Sequence, residues 1–278
     1  MILSHYQTRV LLQARQRRRT SIMASVDLGR TGTEVTLDQE GARFTGHGFL
    51  SWDTIVEINE AKNNCFLIQE GIPYKIQQFS ELTNRYYSLM PTEKAPTLLI
   101  SGTLMHRIKG IDPWQDTLKK IRAVGTVSGE VLDTATGLGY TAIVAAERAS
   151  HVTTIELDPS VLEIARLNPW SNELFTRANI TSRIGDSDEL IREFENRSFH
   201  CVIHDPPVVS LAGNLYGLEF YTELYRILRP QGRLFHYIGD PKSPSGRTTT
   251  RGVVRRLQEA GFQQVRQVPG AFGVVAVK

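Results

Sequence analysis

The chain has 278 residues, with 32 Lys and Arg against 29 Asp and Glu and a formal charge of +3 at neutral pH. Of these residues 41% are hydrophobic and only 2 are cysteines, Cys65 and Cys201, which lie far apart and outside any C-x-x-C spacing. A membrane span of roughly 18–20 apolar residues is thereby excluded, the composition argues against a disulfide framework, a cysteine zinc site and a chain disordered throughout, and the cysteine usage fits a reducing, cytoplasmic setting.

Residues 1–22 are expected to form a basic appendage. Val10-Leu11-Leu12 gives way at once to Arg15, Arg17, Arg18 and Arg19, with no apolar stretch long enough for a secretory signal. Translation is expected to begin naturally at Met23, the alternative being a short basic tail or helix. Between about residues 33 and 108, polar and apolar residues alternate at period two, bounded by Gly, Asn and Pro. Residues 33–38 and 42–47 read as a hairpin, and 54–59, 64–69 and 74–79 as further strands. Residues 80–87 read as a polar piece of helical character, and 98–101 pairs with 104–107 around Gly102. The expectation is a small β-rich domain over residues 23–112, serving acceptor recognition or the formation of a homodimer.

From Pro113 the rhythm changes. Residues 114–124 read as a helix whose buried face carries Trp114, Leu118 and Ile121. Strands at 131–133, 151–156, 180–184, 201–204 and 233–237 then alternate with helices at 141–148, 160–167, 188–194, 218–228 and 249–260. This alternation predicts an α/β fold, a Rossmann-like parallel sheet with helices on both faces. Two strands at 264–268 and 274–277, joined by Pro269-Gly270 with no helix between, predict an antiparallel hairpin at one edge.

The segment from Val131 to Ala142 joins the first of these strands to its helix. Its glycines, Gly137 and Gly139, let the backbone approach a ligand closely. Glu156 follows at the end of the next strand, where a carboxylate can accept both hydroxyls of a ribose. A nicotinamide dinucleotide and S-adenosylmethionine compete for this loop. A dinucleotide needs its first glycine directly after the strand, whereas here Thr134, Ala135 and Thr136 separate Asp133 from Gly137. The Asp133 carboxylate would repel a pyrophosphate but suits the ammonium of a methionine moiety, which favours S-adenosylmethionine.

These motifs, in this order, resemble class I S-adenosylmethionine-dependent methyltransferases over residues 113–278. The resemblance implies a cofactor held by Asp133, Thr134, Ala135, Thr136, Gly137, Gly139 and Tyr140 of the loop. It also implies a ribose contact from Glu156 beside Leu157, an adenine-side contact from Asp186 and Ser187, and a strand-four motif His204-Asp205-Pro206-Pro207. Leu228-Arg229-Pro230-Gln231-Gly232-Arg233 matches the family's turn into strand five. A subgroup of predicted methyltransferases is similar in residues 136–142 and in Leu167-Asn168-Pro169-Trp170, and spermidine synthases are similar more distantly.

Methyltransferases acting on planar amino groups carry a similar Asp/Asn-Pro-Pro-aromatic motif, in which the acid and a proline carbonyl accept hydrogen bonds from the NH₂ group. Asp205, His204 and Pro206 are therefore the catalytic candidates, and Asp205 also borders the cofactor. The fourth position is Val208, so no stacking ring is supplied in place. Tyr216 or Tyr140 could supply one, and Pro207, Tyr216, His106 and His236 are candidates for the acceptor pocket. No H-E-x-x-H or G-x-S-x-G spacing occurs, and no metal is expected. Three functions follow: methyl transfer to a nitrogen of a nucleobase, protein side chain or metabolite; aminopropyl transfer from decarboxylated S-adenosylmethionine; and a non-catalytic RNA-binding module. The last is motivated by Arg226, Arg229, Arg233, Lys242, Arg247, Arg251, Arg255 and Arg256, among which Asp240 is the sole acid of that stretch. That run leaves nucleic acid open as a partner, though such runs are usually solvated faces.

Overall fold

In a computed structural model, which describes residues 1–278 with the side chain of Ser245 excepted, the chain divides into two units. The first is Met1–Trp114 with Ser160–Asn172, and the second is Gln115–Pro159 with Glu173–Lys278.

The first unit runs β1 (Ile2–Leu3), α1 (His5–Gln16), β2 (Ser21–Ala24), β3 (Thr33–Leu37), β4 (Gly41–Phe44), β5 (Gly48–Ser51), α2 (Trp52–Glu60), β6 (Phe66–Gln69), β7 (Ile72–Lys75), β8 (Gln77–Ser80), β9 (Arg85–Met90), β10 (Thr97–Ile100) and β11 (Thr103–Leu104). These strands form three antiparallel sheets, β2-β3-β4-β5, β1-β6-β7 and β11-β10-β9-β8. Leu3, Leu11, Val35, Phe44, Leu50, Trp52, Ile55, Ile58 and Phe66 share one core. Residues 160–172 join this unit through Trp170, whose indole N–H donates to the Leu28 carbonyl at 3.1 Å and whose ring lies 5.6 Å from that of Trp114.

Three expectations for this region are corrected. Residues 1–22 are not an appendage. Ile2 and Leu3 pair with Leu67 and Phe66, and α1 buries Thr8, Leu11 and Ala14 behind a Ser4–Gln7 capping box. The arginines that suggested a tail sit on the exposed end of this helix, where cations complement its dipole, and Met23 lies inside β2. Residues 54–59 are helical because Trp52, Ile55 and Ile58 repeat at three-residue spacing toward the core, and Ser51 caps the first turn. Residues 80–87 are not helical. They close β8 and open β9 around a turn in which Asn84 takes φ 52°.

The second part of the chain carries α3 (Pro113–Val124), β12 (Glu130–Asp133), α4 (Tyr140–Ala146), β13 (His151–Glu156), α5 (Pro159–Leu167), α6 (Asn172–Thr176), β14 (Ile180–Ile184), α7 (Ser187–Leu190), β15 (Phe199–His204), α8 (Leu218–Ile227), β16 (Leu228–Tyr237), α9 (Pro244–Glu259), β17 (Gln263–Val268) and β18 (Gly273–Val277). Its seven-stranded sheet has the order β14-β13-β12-β15-β16-β18-β17. The strands are parallel up to β16, and β18 runs antiparallel to both β16 and β17, so the expected reversal is present. Leu132, Val202, Leu224, Leu234, Val253 and Leu257 anchor the core of this unit. Strands β13 and β14 lie on one side of β12 and β15 and β16 on the other. The carboxyl ends of β12 and β15 therefore flank the point where the strand order reverses, the place where open α/β sheets bind ligands.

The buried face of α3 also differs from expectation. Trp114, Leu118 and Ile121 are half-buried, while Pro113, Asp116, Thr117, Lys120 and Val124 are the buried residues. The helix turns its polar stripe inward.

Candidate active site

Asp133 ends β12 with its carboxyl fully buried. The hydroxyls of Thr141 and Thr154 donate to Oδ2 at 3.0 and 2.9 Å, and Oδ1 has no hydrogen-bond partner, although the Ala135 amide lies near enough to favour the anion. Burial outweighs these donors and pushes the Asp133 pKa up to about 7. The loop that follows is tied to strands on both sides. Thr134 N–H donates to the Ile203 carbonyl at 3.0 Å and Thr136 N–H to that of Ile155 at 2.8 Å, while the Ser187 hydroxyl donates to the Thr134 carbonyl at 2.6 Å.

Within the loop, Thr134, Thr136 and Tyr140 face inward, and Ala135 and Gly137 are the half-exposed positions. Gly137 and Gly139 both adopt left-handed backbone, with φ 52° and 76°. A Cβ on Gly139 would come within 2.6 Å of Leu174, whereas one on Gly137 would meet nothing within 4 Å. The open side of Gly137 is thus where a ligand can approach the backbone. Its N–H donates to Glu156 Oε2 at 2.8 Å, and Asp158 N–H holds Oε1 at 3.1 Å. Burial raises Glu156 to about 7 as well. Beside it Leu157 is 48% exposed, an apolar surface at the end of β13. Asp186 spends Oδ1 on capping α7 through Asp188 N–H at 2.9 Å. A pair of ionisable acids, an unpartnered buried carboxylate oxygen and an open glycine fit an ammonium- and ribose-bearing ligand and do not fit a pyrophosphate.

Asp205 follows β15 directly, and its side chain is 16% exposed. Its Oδ2 lies 2.6 Å from Lys120 Nζ, which also stands 3.3 Å from Asp116 Oδ2 and 4.3 Å from the centre of the Tyr237 ring. Lys120 and Asp116 were not among the residues expected from the sequence. The only sequence signal is their i, i+4 spacing, which reads equally well as a solvated helix pair. Burial pulls the lysine down, but Asp205 and Asp116 together outweigh it and hold its pKa above the usual value. Burial likewise raises Asp205, against the pull of Lys120.

Four of the other expected residues are corrected. His204 cannot act as a base. It is fully buried, its Nε2 faces the Leu215 carbonyl at 2.9 Å and its Nδ1 the Thr134 hydroxyl at 2.6 Å. Burial lowers its pKa to about 3, so the neutral ring donates from Nε2 and accepts at Nδ1. His236 lies in the same core, 4.3 Å from the His204 ring and 2.7 Å from the Tyr221 hydroxyl, rather than in an acceptor pocket. Tyr216 is buried and donates its hydroxyl to the Pro207 carbonyl at 3.1 Å, so it braces the Pro-Pro segment instead of offering a stacking face. Tyr140 is likewise buried. Pro206 is buried, Pro207 half-buried, and Val208 and Val209 are exposed beyond them. His106 belongs to the first unit, where its Nδ1 bonds the Thr97 hydroxyl at 3.0 Å.

The arginine-rich stretch divides in two. Arg226, Arg229 and Arg233 donate to the carbonyls of Phe194, Arg197 and Val124 and serve the fold. Arg247, Arg251 and Arg255 are exposed along one stripe of α9. Among the described residues no group of His, Cys, Asp and Glu could hold a metal ion, and no helix is long and apolar enough to cross a membrane.

The sheet order, the glycine loop and the paired acids at the strand ends define a class I methyltransferase domain, and a family model described as a methyltransferase domain matches residues 131–232. The chain is 44% identical over 263 residues to the uncharacterized protein MJ1233 of Methanocaldococcus jannaschii, covering 92% of this chain and 89% of that one. It belongs to the same family as that protein, and within it residues 131–232 are a methyltransferase domain of class I type. It is also 32% identical over 136 residues to polyamine aminopropyltransferase 1 of Streptomyces coelicolor, over 45% of this chain but only 24% of that protein. The crystal structure of a spermidine synthase in complex with the transition state analogue AdoDATO shares the fold, with a TM-score of 0.62, 18% identity and 73% and 72% of the two chains covered.

Proposed function

We propose that the chain is an S-adenosylmethionine-dependent methyltransferase acting on a nitrogen of a planar amino or amide group. The observation that carries this reading is the placement of Asp205, partly exposed and followed by the braced Pro206-Pro207 segment, one strand from the Asp133 cradle. When bound, S-adenosylmethionine supplies an electrophilic methyl group on sulfur and leaves as S-adenosylhomocysteine.

Asp133 would meet the ammonium of the methionine moiety, and Glu156, held by Gly137 and Asp158, would accept the ribose hydroxyls. Leu157 offers apolar surface to the adenine. On the acceptor side, Lys120 takes Oδ2 of Asp205, which leaves Oδ1 and the Pro206 carbonyl to accept the two N–H bonds of an amino group. Such a nitrogen is a poor nucleophile because its lone pair is delocalised. Two fixed acceptors orient it, and positioning of this kind supplies much of the acceleration. Asp205, raised by burial, is the nearest carboxylate to take the proton that the nitrogen gives up.

Aminopropyl transfer is the second reading, favoured by the likeness to a polyamine aminopropyltransferase and to the spermidine synthase fold. The Arg247, Arg251 and Arg255 stripe supports a nucleic acid as the carrier of the acceptor nitrogen. Parallel calorimetric titrations with S-adenosylmethionine, its decarboxylated form and NADH test the proposal. Preference for intact S-adenosylmethionine is expected. Preference for the decarboxylated form moves aminopropyl transfer to first place, and binding of NADH alone overturns both readings.

A further inference from the structure

Lys120 has no role in holding the cofactor in the reading above, yet it is only 2% exposed and reaches from α3 to the acceptor carboxylate. Such a group needs a reason. A buried ion pair is weak evidence for stability, since desolvation offsets most of the attraction between the charges. The pair here is also lopsided, with one ammonium between two carboxylates, Asp116 at 3.3 Å and Asp205 at 2.6 Å, under the face of the Tyr237 ring.

We propose that Lys120 determines acceptor specificity by neutralising Asp205, so that the site takes an uncharged nitrogen and rejects the ammonium groups of polyamines. The inference rests on Asp205 being the acceptor-binding residue of the proposed function. Without Lys120, Asp205 and Asp116 would form a doubly negative site that attracts cationic amines. With it, an ammonium already sits on Asp205 at hydrogen-bonding distance, where the ammonium of a polyamine would bind. A second cation on Oδ1 of the same carboxylate would meet the Lys120 ammonium across that group, and like charges repel strongly in a partly desolvated site. A neutral NH₂ donates to the same oxygen without that repulsion.

The test uses the full chain saturated with S-adenosylhomocysteine and titrated with spermidine at fixed ionic strength. The wild type should bind spermidine weakly, Lys120→Met at least tenfold more tightly, and Lys120→Arg, which keeps the charge, like the wild type. Should Lys120→Met fail to fold around two buried carboxylates, Lys120→Met combined with Asp116→Asn frees Asp205 of its counter-ion without adding net charge and should show the same gain. Equal spermidine affinity in wild type and variants, or tight binding by the wild type, overturns the role of Lys120. S-adenosylhomocysteine affinity, measured on each protein first, separates this from failure of the parent reading. If the wild type binds no S-adenosylhomocysteine, the proposed function falls and takes this inference with it.

Discussion

Ionising a carboxyl group inside a protein costs free energy unless the site supplies compensation, and Asp133 and Glu156 both sit in that situation with pKa values near 7. Their raised values have opposite consequences for folding and for binding. In the unfolded chain these acids lose their protons near pH 4, while the native ones retain them up to about 7. The native state therefore binds more protons across that window, and its stability falls as the pH climbs from about 4 to about 7, then levels off. Asp133→Asn removes one such group. In urea denaturation its stability relative to wild type should improve between pH 5 and 7, by at most about 1.4 kcal/mol per pH unit. A ligand that brings an ammonium to Asp133 and hydroxyls to Glu156 favours the ionised forms instead. S-adenosylmethionine affinity should therefore rise with pH up to about 7 and plateau, with proton release detectable by calorimetry in buffers of different ionisation enthalpy. Asp133→Ala should abolish that affinity while leaving the far-ultraviolet dichroism unchanged, and an unaltered affinity would place the cofactor elsewhere.

At the scale of elements, the loop after β12 assigns its two glycines different tasks. Gly139 starts α4 in left-handed backbone and packs under Leu174, so Gly139→Ala combines backbone strain with a collision and should cost about 1–3 kcal/mol of stability. Gly137 has similar backbone but open space beside it. Gly137→Ala should cost about 1–2 kcal/mol from strain alone and weaken cofactor binding disproportionately. Urea denaturation and calorimetry on the two variants separate these effects, and identical behaviour would contradict the division. This loop is legible in the sequence because a strand, an acid and two glycines fix their own geometry over a few residues. Lys120 is not legible in that way. Its importance depends on α3 turning a polar stripe inward against a residue 85 positions later, which local periodicity ranks below the apolar Leu118 and Ile121. His204 and His236 misled for the converse reason, since a histidine at a strand end looks reactive until the elements that enclose it are known.

For the whole molecule, legibility follows contact range. The second unit repeats strand and helix at regular spacing, and that alternation with the final two strands is enough to read a parallel sheet reversed at one edge, though not the order of its strands. The first unit is built from short strands whose apolar residues satisfy more than one period, as α2 shows with Trp52, Ile55 and Ile58. Its N-terminal residues read as a basic tail because four arginines mask the apolar side of α1. The consequence is testable. Removing residues 1–22 would strip β6 of its partner β1, shorten β2 by Ser21 and Ile22, and withdraw Leu3, Leu11 and Ala14 from the core around Leu50, Ile55 and Phe66. Each fully buried leucine contributes about 1.5–3 kcal/mol, and domains are stable by only about 5–15 kcal/mol in total. Losing two leucines, a helix and a strand pairing together should exceed what the first unit can tolerate. In a chain beginning at Met23, amide hydrogen exchange should show α2 and β6 without protection while β12, β13 and β15 of the second unit retain theirs. Full protection of β6 in that chain would mean that α1 covers the core without being needed by it.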